Sequence, residues 1–353
     1  MSTVKVLLCL VTGDQPAIAK LMCLKGHNAR RPCLFCFIEG VVAFNKQNYY
    51  PFLSIQPDAQ GIRQLNMRSN MKEDIELCHQ IQDNCTYKAL GISGRSPLVD
   101  FPTLYWPQSF PVDVMHLILE GIRERSTSGL KRASKRRKTA ESEPLEFGCS
   151  AKPPVDDLAG LGADIKKCAP EVPAALARCP EDVYVHHRSY RAQNWFDFLQ
   201  LFVHPLLAGR ASMEVRTSMA LLARIYAVAT QQEISHEDLP WLAGAVRDFM
   251  ESYEHLYTDP TVCTSNLHGI LHLADCIRSC GPAWGHWQFT MVKICGNVVG
   301  WLRGKKLKDE NLANAILLNE QVSLLQWINP DVCLTCGGDV HAKASRLFSP
   351  HIF

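Results

Sequence analysis

A chain of 353 residues that is 47% apolar and 20% charged can bury a core, which excludes a wholly disordered protein and fits one large domain with an insertion or two smaller domains. The apolar run Val4 to Val11 is about a third of the length that spans a bilayer and has no basic segment or small-residue cleavage site around it, so neither secretion nor membrane insertion is expected. Fifteen cysteines, an odd number without the density of a disulfide scaffold, fit a reducing compartment, nuclear or alternatively cytoplasmic.

Lys5 to Thr12, rich in Val and Leu and ending at Thr12-Gly13-Asp14, reads as a buried strand. A helix follows, with Pro16 in its first turn and Ile18, Leu21, Met22 and Leu24 on its apolar face. Beyond Cys33 and Cys36 an irregular stretch contains Tyr49, Tyr50 and Pro51, and an amphipathic helix is expected from about Gly61 to Gln82. Asp100 to Pro111, full of Pro and aromatics, reads as extended. Asp113 then caps a helix carrying Met115, Leu117, Ile118, Leu119 and Ile122.

The net charge of +2 is uneven. Gly121 to Ala140 holds eight basic residues and one acidic one, so this stretch carries +7 and the rest of the chain −5. Its centre, Lys131, Arg132, Lys135, Arg136, Arg137 and Lys138, reads as a solvated, disordered insertion, with a nuclear-import signal or a phosphate-contacting arm as the functional alternatives.

Downstream the pattern is helical almost throughout. Trp195 to Val203 and Met219 to Ala229 form helices, Ser235 with Asp238 begins another in a capping box, and further helices cover Ser265 to Cys280, Trp287 to Leu302 and Asn311 to Trp327. Gly281-Pro282 separates the first two of that last group. No fixed-period repeat is visible, which excludes a solenoid.

The chemistry-bearing residues start with Cys33-x2-Cys36. Two thiolates at this spacing can reach one tetrahedral zinc, but a structural zinc takes four protein ligands, so two more must come from elsewhere. His268 and His272, spaced i and i+4, leave one helix face and suit a single metal. On spacing alone, a coincidental Cys pair and a packing His pair remain open. Cys333-x2-Cys336 with His341 looks like half of a second zinc site, and His27 is a further candidate beside the first. Arg303, Lys305, Lys306 and Lys308 could touch phosphates or form a solvated helix end.

Several motifs in order carry a family resemblance. Gly13-Asp14-Gln15-Pro16-Ala17, Lys25-Gly26-His27-Asn28, Pro32-Cys33-Leu34-Phe35-Cys36, Asp100-Phe101-Pro102, Phe110-Pro111-Val112-Asp113-Val114-Met115-His116, Ser265-Asn266-Leu267-His268 to His272-Leu273, and Gly281-Pro282-Ala283-Trp284 to Trp287-Gln288-Phe289 resemble the catalytic core of CACTA/EnSpm-type transposases of fungal genomes. The likeness covers about residues 9 to 320, and the order Asp, C-x2-C, His-x3–4-His, Glu is also that of the V(D)J recombinase catalytic subunit. The resemblance implies an RNase H-like, retroviral-integrase-like fold interrupted by a long helical insertion. It implies three carboxylates holding two Mg2+ for in-line attack on DNA phosphate. Cys33, Cys36, His268 and His272 match a structural zinc clamp, and Asp14 matches the second carboxylate.

The departures are as informative. Thirteen residues precede Asp14 and none is acidic, so the first carboxylate is missing. Met291-Val292-Lys293 stands where the family has Met-Glu-Arg, so Val292 occupies the position of the third. One Asp cannot hold two metal ions together, and Asp113, read as a cap, and Asp275, read as solvent-facing, do not replace the others.

The expected fold is therefore mainly α with a small α/β part, an incomplete RNase H-like core. Its parts are a partial core with the zinc knuckle (1–123), the basic insertion (124–160), a helical insertion (161–263), helices returning to the core (264–330) and a tail (331–353). The leading functional expectation is a degenerate or domesticated transposase remnant, zinc-stabilised and without catalysis, associated with DNA, with a full-length transposase or with itself. The alternatives are an active DNA-cleaving enzyme whose missing carboxylates come from another chain or a lost exon, and a zinc-dependent protein-interaction module. No small-molecule substrate is evident.

Overall fold

The computed structural model describes residues 7–43, 45–122, 157–173, 181–186, 190–257, 260–301 and 308–328. The chain forms two compact units, Met1–Gln288 and Phe289–Phe353. It is mostly helical. Among the described residues the sheet is confined to β1 (Val41–Val42) and β2 (Asn48–Tyr49), an antiparallel pair with Val41 opposite Tyr49.

The first unit opens with α1 (Gln15–Leu21), whose first turn accepts Pro16 and whose N-terminus is capped by the Asp14 carboxylate, 2.7 Å from the Ala17 N–H. After the β-hairpin come α2 (Met71–Ile81), α3 (Asn84–Leu90) and α4 (Met115–Ile122), the last wound in wide π turns. Ile18, Met22, Met71, Ile75, Ile92 and Phe110 form one core from α1, α2 and the segments around them. Each fully buried side chain of this kind contributes about 1.5–3 kcal/mol relative to exposure.

The helical part of this unit runs through α5 (Leu158–Cys168), α6 (Val183–His186), α7 (Ala192–Asp197), a π segment (Phe198–Phe202), α8 (Val203–Leu206), α9 (Met213–Ala229) and α10 (Asp238–Leu256). Along α10, Leu239, Leu242, Val246, Phe249, Met250 and Tyr253 repeat at three- and four-residue steps and are all buried, against α9 on one side and α12 (Leu273–Cys280) on another. The box expected at Ser235 forms by half: the Asp238 carboxylate accepts the Ser235 N–H at 3.3 Å. Between α10 and α12 lie α11 (Ser265–Gly269) and a 3-10 turn, Ile270–His272. Gly281, at φ +82°, ends α12. Among its described residues the second unit holds α13 (Phe289–Trp301) and α14 (Lys308–Ile328), which pack on each other. Among the described residues no helix is long and apolar enough to cross a membrane.

Three sequence expectations need correction. Residues 7–12 join no ladder among the described residues: the Val11 N–H bonds to the Ser109 carbonyl at 2.9 Å, the Leu8 carbonyl accepts from the Thr103 hydroxyl, and Leu7 is exposed. A Val/Leu-rich run becomes a strand only when a partner strand offers regularly spaced acceptors, and here single bonds to the 103–109 turns take their place. The helix expected from Gly61 starts at Met71 instead. Asp58 accepts the N–H groups of Gln60 and Ile62 in a local turn, Gly61 sits at φ +79°, and Met67 bridges to Cys36, which holds residues 58–67 out of a helix. Residues 100–111 fold into successive turns rather than an extended stretch, with Ser109 N–H on the Tyr105 carbonyl (2.7 Å) and Phe110 N–H on that of Pro107 (3.0 Å).

Candidate metal centre

Cys33 and Cys36 sit on a knuckle that a neighbouring extended segment fixes from outside. Phe37 N–H bonds to the Asn66 carbonyl and Arg68 N–H to that of Phe35, both at 2.8 Å, on either side of the Cys36–Met67 bridge. The Phe35 N–H points at the Cys33 Sγ, 3.3 Å away, and so stabilises negative charge on that sulfur. Arg68, only 3% exposed, donates from Nε to the Cys33 carbonyl at 3.0 Å and lies 4.3 Å over the Phe37 ring. Burial lowers the pKa of this guanidinium, while the nearby Cys33 and Asp74 work to raise it.

The histidines come from the other end of the first unit. Thr264 caps α11 by accepting the Leu267 N–H, and the change from α to 3-10 winding after Gly269 sets the angle between His268 and His272. A Cβ on Gly269 would meet the Leu117 side chain at 2.8 Å, so the absence of a side chain lets α11 approach α4. The His272 ring stacks on Phe35 with centroids 4.9 Å apart.

These two segments, more than 230 positions apart, converge. Cys36 Sγ lies 3.1 Å from His268 Nε2 and Cys33 Sγ lies 3.3 Å from His272 Nε2, with sequence separations of 232 and 239. The two Nε2 atoms are 3.3 Å apart. All four ligand atoms fall within 4.8 Å of one another, and all four residues are buried. A tetrahedral zinc with ordinary bond lengths needs nitrogen–nitrogen edges of about 3.3 Å and sulfur–nitrogen edges of about 3.6 Å. The donor set and its spacing therefore fit zinc, and the cluster can hold such an ion.

Electrostatics favour the same reading. Burial opposes ionisation of Cys33, but the hydrogen bond from Cys36 and the adjacent His272 and His268 outweigh it, leaving that thiol well below its usual pKa. Cys36 moves the other way, because it donates to Cys33 and is buried beside the resulting charge. The pair holds one negative charge comfortably and a second only when a divalent cation arrives. The Nδ1 atoms of both histidines are buried without a hydrogen-bond partner, so ring orientation rests on packing, chiefly the Phe35 stack.

Of the remaining candidates among the described residues, none joins the Cys–His cluster. Asp14 caps α1, and the adjacent Gln15 accepts the Ser265 hydroxyl at 3.2 Å, placing the capping turn beside the start of α11. Among the described residues the Cys–His cluster is the one group of three or more His, Cys, Asp or Glu side chains with converging ligand atoms, and Asp14 is not part of it. Val292 is half-exposed on α13 in the second unit. His27 is exposed and outside the ligand set, and Asp275 pairs with Arg278 at the surface. Lys308 begins α14. The basic run Lys131, Arg132, Lys135, Arg136, Arg137 and Lys138, the cluster members Arg303, Lys305 and Lys306, and Cys333, Cys336 and His341 lie outside the described residues.

Asp113 does cap α4. Its carboxylate accepts the N–H groups of Met115 and His116 at 3.3 Å and of Gln288 at 3.0 Å, and it pairs closely with the His116 ring. Two buried groups gave no sign in the sequence. Arg68 falls inside the stretch expected as an amphipathic helix, where nothing marks it out, and Glu254 reads as one more charge near a helix end. Its carboxylate, 7% exposed, accepts the N–H groups of Phe52 (2.6 Å) and Leu53 (2.9 Å) and so ties α10 to the turn that follows Tyr50.

No family model matches this chain, and neither does any curated protein or solved structure.

Proposed function

We propose that this protein is a catalytically degenerate relative of CACTA-type transposases, a zinc-stabilised scaffold that associates with DNA without cleaving it. The observation that supports this reading most is the meeting of Cys33 and Cys36 with His268 and His272 across more than 230 positions. That is the long-range clamp the family resemblance implies, and each pair's spacing alone leaves it open. The lack of chemistry follows from the carboxylates: Asp14 serves as a helix cap and Val292 offers no oxygen. Two divalent ions need several shared carboxylate ligands to sit a few ångströms apart, so productive Mg2+ binding is not part of this proposal. The basic run around Lys131 to Lys138 would supply phosphate contacts or nuclear import.

The test is binding and cleavage measured together on zinc-loaded full chain. Duplex DNA should bind with an affinity that falls by tenfold or more between about 50 and 200 mM salt, as phosphate contacts require. No nicking or strand transfer should appear with Mg2+ or Mn2+, and restoring Val292→Glu alone should not create any. Cleavage by the wild type would establish the enzyme alternative, and absence of binding at low salt would leave a zinc-dependent interaction module.

A further inference from the structure

The two helices of the second unit leave much of the apolar surface of α14 uncovered. Leu312, Ala315 and Val322 are partly buried and share one face of the helix, as packing on a single neighbour requires. Leu317, Leu318, Leu324, Leu325, Trp327 and Ile328 are each more than half exposed. A helix with apolar side chains this far round its circumference is ordinarily a buried element. These six residues expose roughly 800 Å², the share that one partner contributes to a standard interface and more than the largest apolar patch of an ordinary monomer.

Their order along the chain indicates what fits there. Leu317-Leu318 recurs seven residues on as Leu324-Leu325, and Asn314, Gln321 and Ile328 are spaced by the same seven residues around the doublets. These positions form one seam, the a, d and e positions of a heptad, turned away from the partly buried face. A polar side chain at an a position is a device of paired helices, where it fixes register. The seam is also self-complementary. In a two-fold pairing of either helix polarity, doublet meets doublet and Gln321 meets its own mate, whose carboxamide offers both a donor and an acceptor.

Charge argues against other surfaces. A helix lying on lipid carries lysine and arginine on its polar face, and a contact with nucleic acid needs the same charges. α14 has one lysine, Lys308, against Asp309, Glu310 and Glu320. We propose that α14 pairs with α14 of a second copy of this chain, burying the leucine doublets around Gln321 and making the protein a dimer. The pairing stands independently of the DNA-associated reading, since it uses neither the metal centre nor the basic run.

The test is sedimentation velocity of zinc-loaded full chain over a range of about 0.1 to 100 μM, where a dimer with a micromolar or tighter Kd is expected. Leu318→Glu combined with Leu325→Glu brings like charges into the seam and should weaken association about a hundredfold or more. Ile316→Lys, an equal change of polarity on a different face of α14, should leave the Kd within about twofold. Gln321→Leu should tighten the dimer about tenfold, because a polar residue in the seam costs stability. All of these side chains are exposed in the single chain, so zinc content and helicity should match the wild type. Gln321→Leu still reports on the seam should the double substitution unfold α14. A wild type that is monomeric across the range overturns the pairing. A dimer that survives the double substitution, or is lost equally in Ile316→Lys, means that copies meet elsewhere and overturns it as well. Monomeric wild type that binds phosphatidylcholine vesicles, with binding lost in the double variant, would assign this face to lipid instead.

Discussion

On the proposed reading, removing the metal should loosen the whole first unit, and the size of the effect can be worked from the loop that a metal held by the Cys–His cluster closes. Cys36 and His268 are 232 positions apart, and a cross-link closing a loop of that length removes about 5 kcal/mol of chain entropy from the unfolded state. Bond energy adds to this, and unfolded-state binding through Cys33-x2-Cys36 subtracts from it. Against a net stability of roughly 5–15 kcal/mol the term is decisive. At about 2–4 °C per kcal/mol for a unit of this size, chelation should lower the melting temperature by some 10–20 °C. The assay is calorimetry with and without a strong chelator, in parallel with zinc per chain, on wild type, His272→Ala and His272→Cys. Wild type should carry one zinc and respond to the chelator. His272→Ala should melt low and not respond, whereas His272→Cys should retain metal and most of the stability, because thiolate can replace imidazole in a structural site. Zinc retained in His272→Ala, or a wild-type melting temperature unmoved by chelator, would refute the clamp.

Three further predictions concern the surroundings. Glu254→Gln replaces an oxygen that accepts a buried N–H from Phe52 or Leu53 with a donor, and should cost about 1–3 kcal/mol in urea unfolding; an unchanged midpoint would mean that α10 is not anchored there. His286 is buried, and burial holds its pKa below the ordinary value against the opposing pull of the Gly281 backbone and the Asp113 charge. A depressed histidine pKa means that the unfolded chain binds more protons below about pH 6.5, so the stability it confers is present above that pH and is lost as pH falls towards the folded value. His286→Gln should therefore flatten part of the slope of melting temperature against pH between about 7 and 5, at constant zinc content, and an unaltered slope would assign the acid sensitivity elsewhere. Gly269→Ala puts a methyl against the end of the Leu117 side chain and should destabilise by about 1 kcal/mol while retaining zinc; a melting temperature equal to wild type would mean that α11 does not need the glycine to approach α4.

The helical body was legible where local patterns carry it. Long amphipathic repeats such as α10, the cap at Asp113 and the stop at Gly281 all act within one or two turns, and the elements they define stand where the pattern puts them, whereas the capping of α1 by Asp14, matched in sequence to a carboxylate ligand, was missed. The failures were non-local. Nothing in the run ending at Thr12 reveals that residues 7–12 pair with no strand among the described residues, and nothing in Gly61 to Asn70 reveals that Met67 will bridge to Cys36. The site divides in the same way. Cys-x2-Cys and His-x3-His can be read from spacing, but their meeting depends on the path of the intervening chain, and it could be anticipated only through the order of motifs. Arg68 and Glu254 act on segments 35 and about 200 positions away, beyond the reach of any local pattern.

On the proposed reading, energetics also account for which features persist. Clustered carboxylates that bind catalytic metals repel one another when the metals are absent, so replacing one with valine costs stability little or adds to it. Asp14 differs, because its carboxylate also caps α1, and removal of such a cap costs about 1 kcal/mol. The zinc ligands lie at the other extreme: each supports a cross-link whose loss approaches the net stability of the fold. A lineage released from selection for DNA cleavage but still selected for a folded chain would lose the purely catalytic carboxylates first, keep a carboxylate with a second structural task, and keep all four clamp residues. On that reading Val292 in place of Glu, Asp14 as a cap, and Cys33, Cys36, His268 and His272 all present fit this order. Asp14→Ala separates the two tasks. If only the cap remains useful, the substitution should lower stability by about 1 kcal/mol and leave zinc content and DNA affinity unchanged, with Asp14→Ser restoring the loss. A DNA affinity that collapses in Asp14→Ala and is not restored by Asp14→Ser would mean that the carboxylate still serves a ligand.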